Sequence, residues 1–230
     1  MLNALQDRVA HGLFGYTAPS ARLNQNIADY MARRHDWDVE PGWIVWLNGL
    51  VPALNLFCAM AGNPGDGVLV PTPVYPPFLA APTNAGRDLL SVPLLQPSED
   101  SDSGETSCWR IDWEQLEETV ASFNTRGGSC SDHLGGPRVA ALLLCSPHNP
   151  TGHVFEKPEL EKLGEFCERH DILLCSDEIH ADLLLEPGAA HVPAGAVSEA
   201  LAERTVTLFA AVSAAKPFFT LQPFHFSELL

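Results

Sequence analysis

An amide at Asn149, a carboxylate at Asp177 and an imidazole at His180 are residues whose types and spacing could do chemistry together. An aspartate kept away from water can hold a ring nitrogen protonated, while an amide and an imidazole can bond an oxygen on the same ring. Local patterns show how they would meet. Val139–Cys145 reads as an apolar strand, Ser146–Gly152 as a turn, and Lys157–His170 as a helix with Leu160, Leu163, Phe166 and Cys167 on one side. A second apolar strand ends at Ser176-Asp177-Glu178-Ile179-His180. Parallel strands joined through a helix put both carboxyl ends on one edge, where open α/β sheets bind ligands. Asn149 and Asp177 are therefore predicted to face one pocket.

Three further stretches could complete such a pocket. Trp43–Leu47 is a short apolar strand running through Asn48-Gly49-Leu50-Val51-Pro52 into a helical pattern. A glycine turn feeding a helix leaves backbone N–H groups pointing outward, as suits a phosphate, and Pro52 fits the first helical turn. Pro71, Pro73, Pro76 and Pro77 make a rigid loop that could lay the Tyr75 ring against a planar ligand, although a tyrosine there also serves as ordinary packing. Gly15 and Pro19 hold Tyr16 in an exposed loop, where it also reads as a loop anchor. Taken singly, each residue fits a turn, a cap or a strand end. Together they suit a phosphorylated aromatic cofactor with a ring nitrogen and a phenolic oxygen, features that pyridoxal 5'-phosphate has.

The rest of the chain supplies the frame. Ser20–Arg34 has a helical face at Leu23, Ile27, Tyr30 and Met31 with Ser20 as N-cap, and Asp112 caps a helix bearing Trp113, Leu116 and Val120. Gly65-Asp66-Gly67 turns into a strand at Val68–Val70, and Arg87–Pro93 and Thr205–Ala210 read as strands around a short helix at Ser198–Glu203. Gln96–Ser107 reads as a solvated surface loop, and Asn124–Gly136 as a polar connection. Alternating strands and helices predict an α/β fold of three layers, a mostly parallel sheet with helices on both faces.

Composition narrows the function classes. The 230 residues carry 13 basic against 29 acidic side chains, a formal charge of −16, which argues against a nucleic-acid binder. Nothing approaches the roughly 18 apolar residues of a membrane span, so a cytoplasmic location is expected. Six cysteines without Cys-x-x-Cys spacing read as reduced thiols, four of them in core segments. His148, Asp177 and His180 lack further ligands at zinc-site spacing, and no metal is assigned.

Ser146-Pro147-His148-Asn149-Pro150-Thr151-Gly152 and Ser176-Asp177-Glu178-Ile179-His180 resemble the signatures of fold-type-I pyridoxal-phosphate enzymes. The His-Asn-Pro-Thr-Gly and Asp-Glu-Ile-His forms resemble the cystathionine β-lyase-like C–S lyases within the class I/II aminotransferase superfamily. Phe14-Gly15-Tyr16-Thr17, Gly49-Leu50-Val51-Pro52-Ala53-Leu54 and Pro73-Val74-Tyr75-Pro76-Pro77-Phe78 match that branch in order, over roughly residues 9–210. The resemblance implies phosphate contacts at Gly49, Leu50 and Val51, stacking by Tyr75, and ring contacts by Asn149, Asp177 and His180. It also implies a homodimer in which Tyr16 reaches the neighbouring subunit's cofactor. The implied substrate is an S-substituted cysteine such as cystathionine, cleaved to thiol, pyruvate and ammonia; transamination is the close alternative. The implied organisation is a helical segment at 1–40, a cofactor-binding large domain at 41–210, and a divergent tail at 211–230.

One departure bears on activity. The family places a Ser-Lys pair just beyond the strand matching Thr205–Ala210, and that lysine binds the cofactor covalently. Here the slot falls at Ser213, and the nearby lysine is Lys216, followed by Pro217. The family's N-terminal segment and C-terminal small domain also lack counterparts, so a truncated chain is expected. A non-catalytic chain that binds the cofactor or completes another protomer's site is the second reading.

Overall fold

Near-continuous apolar runs become the inner strands. The structure, a computed structural model, describes residues 2–16, 18–97, 108–125, 136–184, 188 and 190–210, and the backbone of 218–221. Among the described residues, seven strands form one sheet: β1 (Ile44–Leu47), β2 (Gly67–Thr72), β3 (Asp88–Pro93), β4 (Val139–Cys145), β5 (Leu173–Asp177), β6 (Thr205–Ala210) and β7 (Phe218–Leu221). Their order is β1-β7-β6-β5-β4-β2-β3. The pairs β2·β3, β2·β4, β4·β5 and β5·β6 are parallel, whereas β7 runs antiparallel to both β6 and β1. Every residue of β4 is buried, because the sheet is covered on both faces.

Alternation along the strands sorts the core into two layers. Val68, Val70, Ala141, Leu143 and Cys175 pack with α3 (Leu50–Met60) and α4 (Pro76–Asn84). On the other face, Leu69, Leu142, Leu144 and Leu174 pack with α5 (Trp113–Asn124), α6 (Lys157–Arg169) and α7 (Glu199–Ala202). A third cluster joins Ile27 and Met31 of α2 (Ala21–His35) to Phe209 and Ala181. The three-layer, mostly parallel architecture is thus observed. By contrast, α1 (Leu2–His11) buries none of its residues, and Leu2, Leu5 and Val9 leave an apolar stripe exposed. No helix of the described residues is long and apolar enough to cross a membrane.

Two elements differ from expectation. Pro71–Phe78 reads as an irregular loop, yet β2 runs through Pro71 to Thr72 and α4 starts at Pro76. The ladder from β2 to β4 stops at Leu69, so Pro71 lies past the point where β4 would need its N–H. Pro76 and Pro77 occupy the first helical turn, whose N–H groups have no intrahelical partner in any case. The second difference is β7, formed within the segment where no family pattern is legible. Residues 98–107 of the expected surface loop, 126–135 of the polar connection, Thr17 and Cys130 lie outside the described residues.

Both expected N-caps are present. Ser20 Oγ accepts Leu23 N–H at 3.2 Å, and Asp112 Oδ1 accepts Gln115 N–H at 3.0 Å. Asp112→Ala is expected to lower stability by about 1 kcal/mol, read as a shift of the urea midpoint with an unchanged slope. Burial pushes the Cys58, Cys145 and Cys167 thiols up to about 12 and Cys175 well above its ordinary value, which leaves them unreactive hydrophobic side chains.

Candidate functional site

The pocket forms where β4 and β5 end side by side. Cys145 pairs in register with Asp177, and Ser146 N–H donates to Asp177 O at 3.0 Å, so the two following turns leave the sheet from one point. The first turn closes through His148 N–H to His153 O and Gly152 N–H to His148 O, both 2.7 Å, with Gly152 at φ 73°. Asn149 O then accepts Tyr75 N–H at 3.1 Å, which ties the proline-rich segment to the turn. Across the gap, α3 starts at Leu50. Its first backward bond is Ala53 N–H to Gly49 O at 3.2 Å, and Pro52 has no N–H to offer. The amides of Leu50 and Val51 are thereby left to the pocket.

The resulting cavity has a volume of about 390 Å³. Gly49, Leu50, Val51, Tyr75, Asn149, Asp177 and His180 all line it, with Asn48, Pro52, Leu54, Phe78, Cys145 and Ile179. Seven of the nine residues singled out in the sequence therefore meet in one place. Of the other two, Tyr16 is fully exposed and does not line the cavity, and Lys216 lies outside the described residues, as does Ser213. None of the described residues lining the cavity is a lysine.

Electrostatics give the pocket a direction. Burial pushes the Asp177 carboxyl up from 3.8 to about 7; the neighbouring Glu178 adds to the rise, and Ile179 N–H, donating to Oδ1 at 3.1 Å, opposes it. A carboxylate so poorly solvated gains most from a cationic N–H placed against it. His148, by contrast, is buried outside the cavity with Nδ1 at 3.1 Å from Thr151 Oγ1, and burial pushes its imidazole down to about 4. That makes it a neutral turn brace. The pocket thus offers outward amides, a half-exposed aromatic ring, an amide, an imidazole and a buried acid. This donor set fits an aromatic ligand with an anionic arm and a basic ring nitrogen.

Sequence reasoning assigned no role to the apolar walls Leu54, Phe78 and Ile179, or to the buried acid Glu178. Leu54 follows the helical period of α3, Phe78 sits at the start of α4, and Ile179 lies in the turn after β5. For Glu178 the signal was weak: a second acid beside Asp177, with its imidazole partner His191 in another segment.

Fold and site together define a class: a mostly parallel α/β domain with a pocket suited to an anionic aromatic ligand at the carboxyl ends of its strands. The chain matches the model of the aminotransferase class I and II family over residues 2–219, and it belongs to that family. It is 36% identical over 204 residues to the cystathionine β-lyase of Bacillus subtilis, covering 89% of this chain and 47% of that protein. It is 30% identical over 207 residues to the cystathionine β-lyase of Corynebacterium glutamicum, covering 90% and 48%. The crystal structure of cystalysin from Treponema denticola, which contains pyridoxal 5'-phosphate, superimposes with a TM-score of 0.79 at 30% identity, covering 96% of this chain and 52% of that one. The chain spans about half the length of the curated relatives it matches.

Proposed function

We propose that the chain is the cofactor-binding part of a pyridoxal-phosphate-dependent C–S β-lyase acting on S-substituted cysteines such as cystathionine. The convergence of Asn149, Asp177, His180, Tyr75 and the α3 amides on one cavity carries this reading. Bound pyridoxal phosphate supplies an electron sink that acidifies the α-hydrogen of an amino acid. The residues have separate tasks. The Leu50 and Val51 amides at the start of α3 hold the phosphate, and Tyr75 covers one ring face. Asp177 keeps a proton on the ring nitrogen, and Asn149 and His180 bond the phenolic oxygen.

A homodimer is part of the same proposal. The exposed stripe of Leu2, Leu5 and Val9 on α1, continued by Leu13, Phe14 and Tyr16, is apolar surface that a second copy would cover. Tyr16 would then serve the partner's pocket.

Ser213, in the slot where the family carries its lysine, favours a second reading, a chain that binds the cofactor without turnover. Absorbance of the purified chain with pyridoxal phosphate, before and after borohydride reduction, separates the two when followed by peptide mapping. An adduct on Lys216 supports the enzyme; no retained adduct supports the non-catalytic chain. Pyruvate released from cystathionine without a keto acid distinguishes lyase from transaminase.

A further inference from the structure

On the face of the sheet opposite the pocket, the residues flanking Asp177 form a buried polar cluster. Alternation sends Cys175 and Asp177 toward α3 and sends Leu174 and Ser176 the other way. Glu178 follows them and is 0% exposed. Its Oε1 accepts Ser176 Oγ–H and Ala194 N–H, both at 2.9 Å, and its Oε2 accepts Nε2–H of His191 at 2.7 Å. Three donors on one buried carboxylate fix it in place, because losing any of them would strand a charge away from water.

None of these side chains lines the cavity, so the cluster acts on the pocket through the backbone. Glu178 N–H donates to Leu208 O at 2.8 Å, and Glu178 O accepts Ala181 N–H at 3.0 Å. Asp177, Ile179 and His180, which do line the cavity, thus sit on a turn pinned at its middle residue. The brace extends to α2. His35 stands edge-on to His191 with ring centroids 5.6 Å apart, and Tyr30 and Arg34 reach Asp182 at 2.7 and 3.3 Å.

We propose that Glu178 and His191 form a positioning pair for the cofactor site: they pin the turn at 177–180 so that Asp177 and His180 keep their places in the pocket, and the Glu178 charge strengthens Asp177's hold on a cationic ring nitrogen. The inference rests on the pyridoxal-phosphate reading above. The same Glu178 charge contributes to raising the Asp177 carboxyl, as expected of adjacent acids that together favour a cation.

The test uses the full chain and pyridoxamine phosphate, which needs no lysine to bind. Calorimetry gives its affinity, and the 15N shift of its labelled ring nitrogen against pH gives its protonation. Glu178→Gln keeps the shape and removes the charge. It is expected to bind about tenfold more weakly and to release the ring proton about one pH unit lower. His191→Ala, which leaves Glu178 charged but unbraced, is the second variant, and His191→Gln should restore affinity because its amide still donates. Circular dichroism fixes a temperature at which all variants are folded. Affinity and ring titration equal to the parent's, with only the melting midpoint lowered, would overturn the pair's role and leave the cofactor reading standing. Failure of the parent to bind would overturn both.

Discussion

Asp177→Asn is expected to make the ligand-free chain more stable than the parent, by a margin that grows with pH. Burial holds this carboxyl at about 7 against 3.8 in the unfolded chain, so the folded state binds the proton more tightly. Its contribution is fully present below the unfolded value and is lost as pH rises to the folded one. The gap between variant and parent should therefore widen by about 1.4 kcal/mol per pH unit between 4 and 7, level off above 7, and reach about 4 kcal/mol at pH 8. Asn keeps an oxygen for Ile179 N–H, so the geometry survives. Urea midpoints at pH 5, 6, 7 and 8 measure the gap; a gap independent of pH would mean that burial does not control this carboxyl. Pyridoxal phosphate should reverse the ranking, because a cationic ring nitrogen stabilises the carboxylate and does nothing for the amide.

Phe166→Ala is expected to cost about 3–5 kcal/mol, a large share of the roughly 5–15 kcal/mol that holds a domain together. Phe166 is 1% exposed on α6, the helix that crosses from β4 to β5, and it packs in one cluster with Leu142, Leu163 and Leu174. Its removal leaves a cavity between the crossover helix and the two strands whose ends carry the site. The urea midpoint should fall accordingly, and near-ultraviolet circular dichroism should show loosened packing before the helical signal is lost. A change below about 1 kcal/mol would mean that the neighbours collapse into the space.

Short-range physics made much of this molecule legible in its sequence. β4 and β6 are apolar runs bounded by turn residues, and their limits at Val139–Cys145 and Thr205–Ala210 match the reading. Ser20 and Asp112 were legible as caps because a cap and its helix are neighbours in sequence. Asn149 and Asp177 were legible as pocket neighbours because parallel topology brings the ends of β4 and β5 together. What escaped was set by context or distance. Pro76 and Pro77 masked α4, since the same residue type breaks a helix interior and opens a helix. The turn after β5 brings His191 to Glu178, and neither residue's surroundings announce the contact. The strand at Phe218–Leu221 pairs with β6 just before it but also with β1, far back in the chain.

That last strand governs when the sheet can be completed. β1 has β7 as its ladder partner, with Ile44 opposite Leu221, so one of the first strands made must wait for one of the last. During synthesis β2 to β6 can assemble as their helices emerge, while Ile44–Leu47, which leads straight into the turn before α3, stays without its neighbour. The end of the pocket at the start of α3 is thus locked late, and a ribosome-bound chain lacking residues 218–221 would carry an open sheet edge beside it.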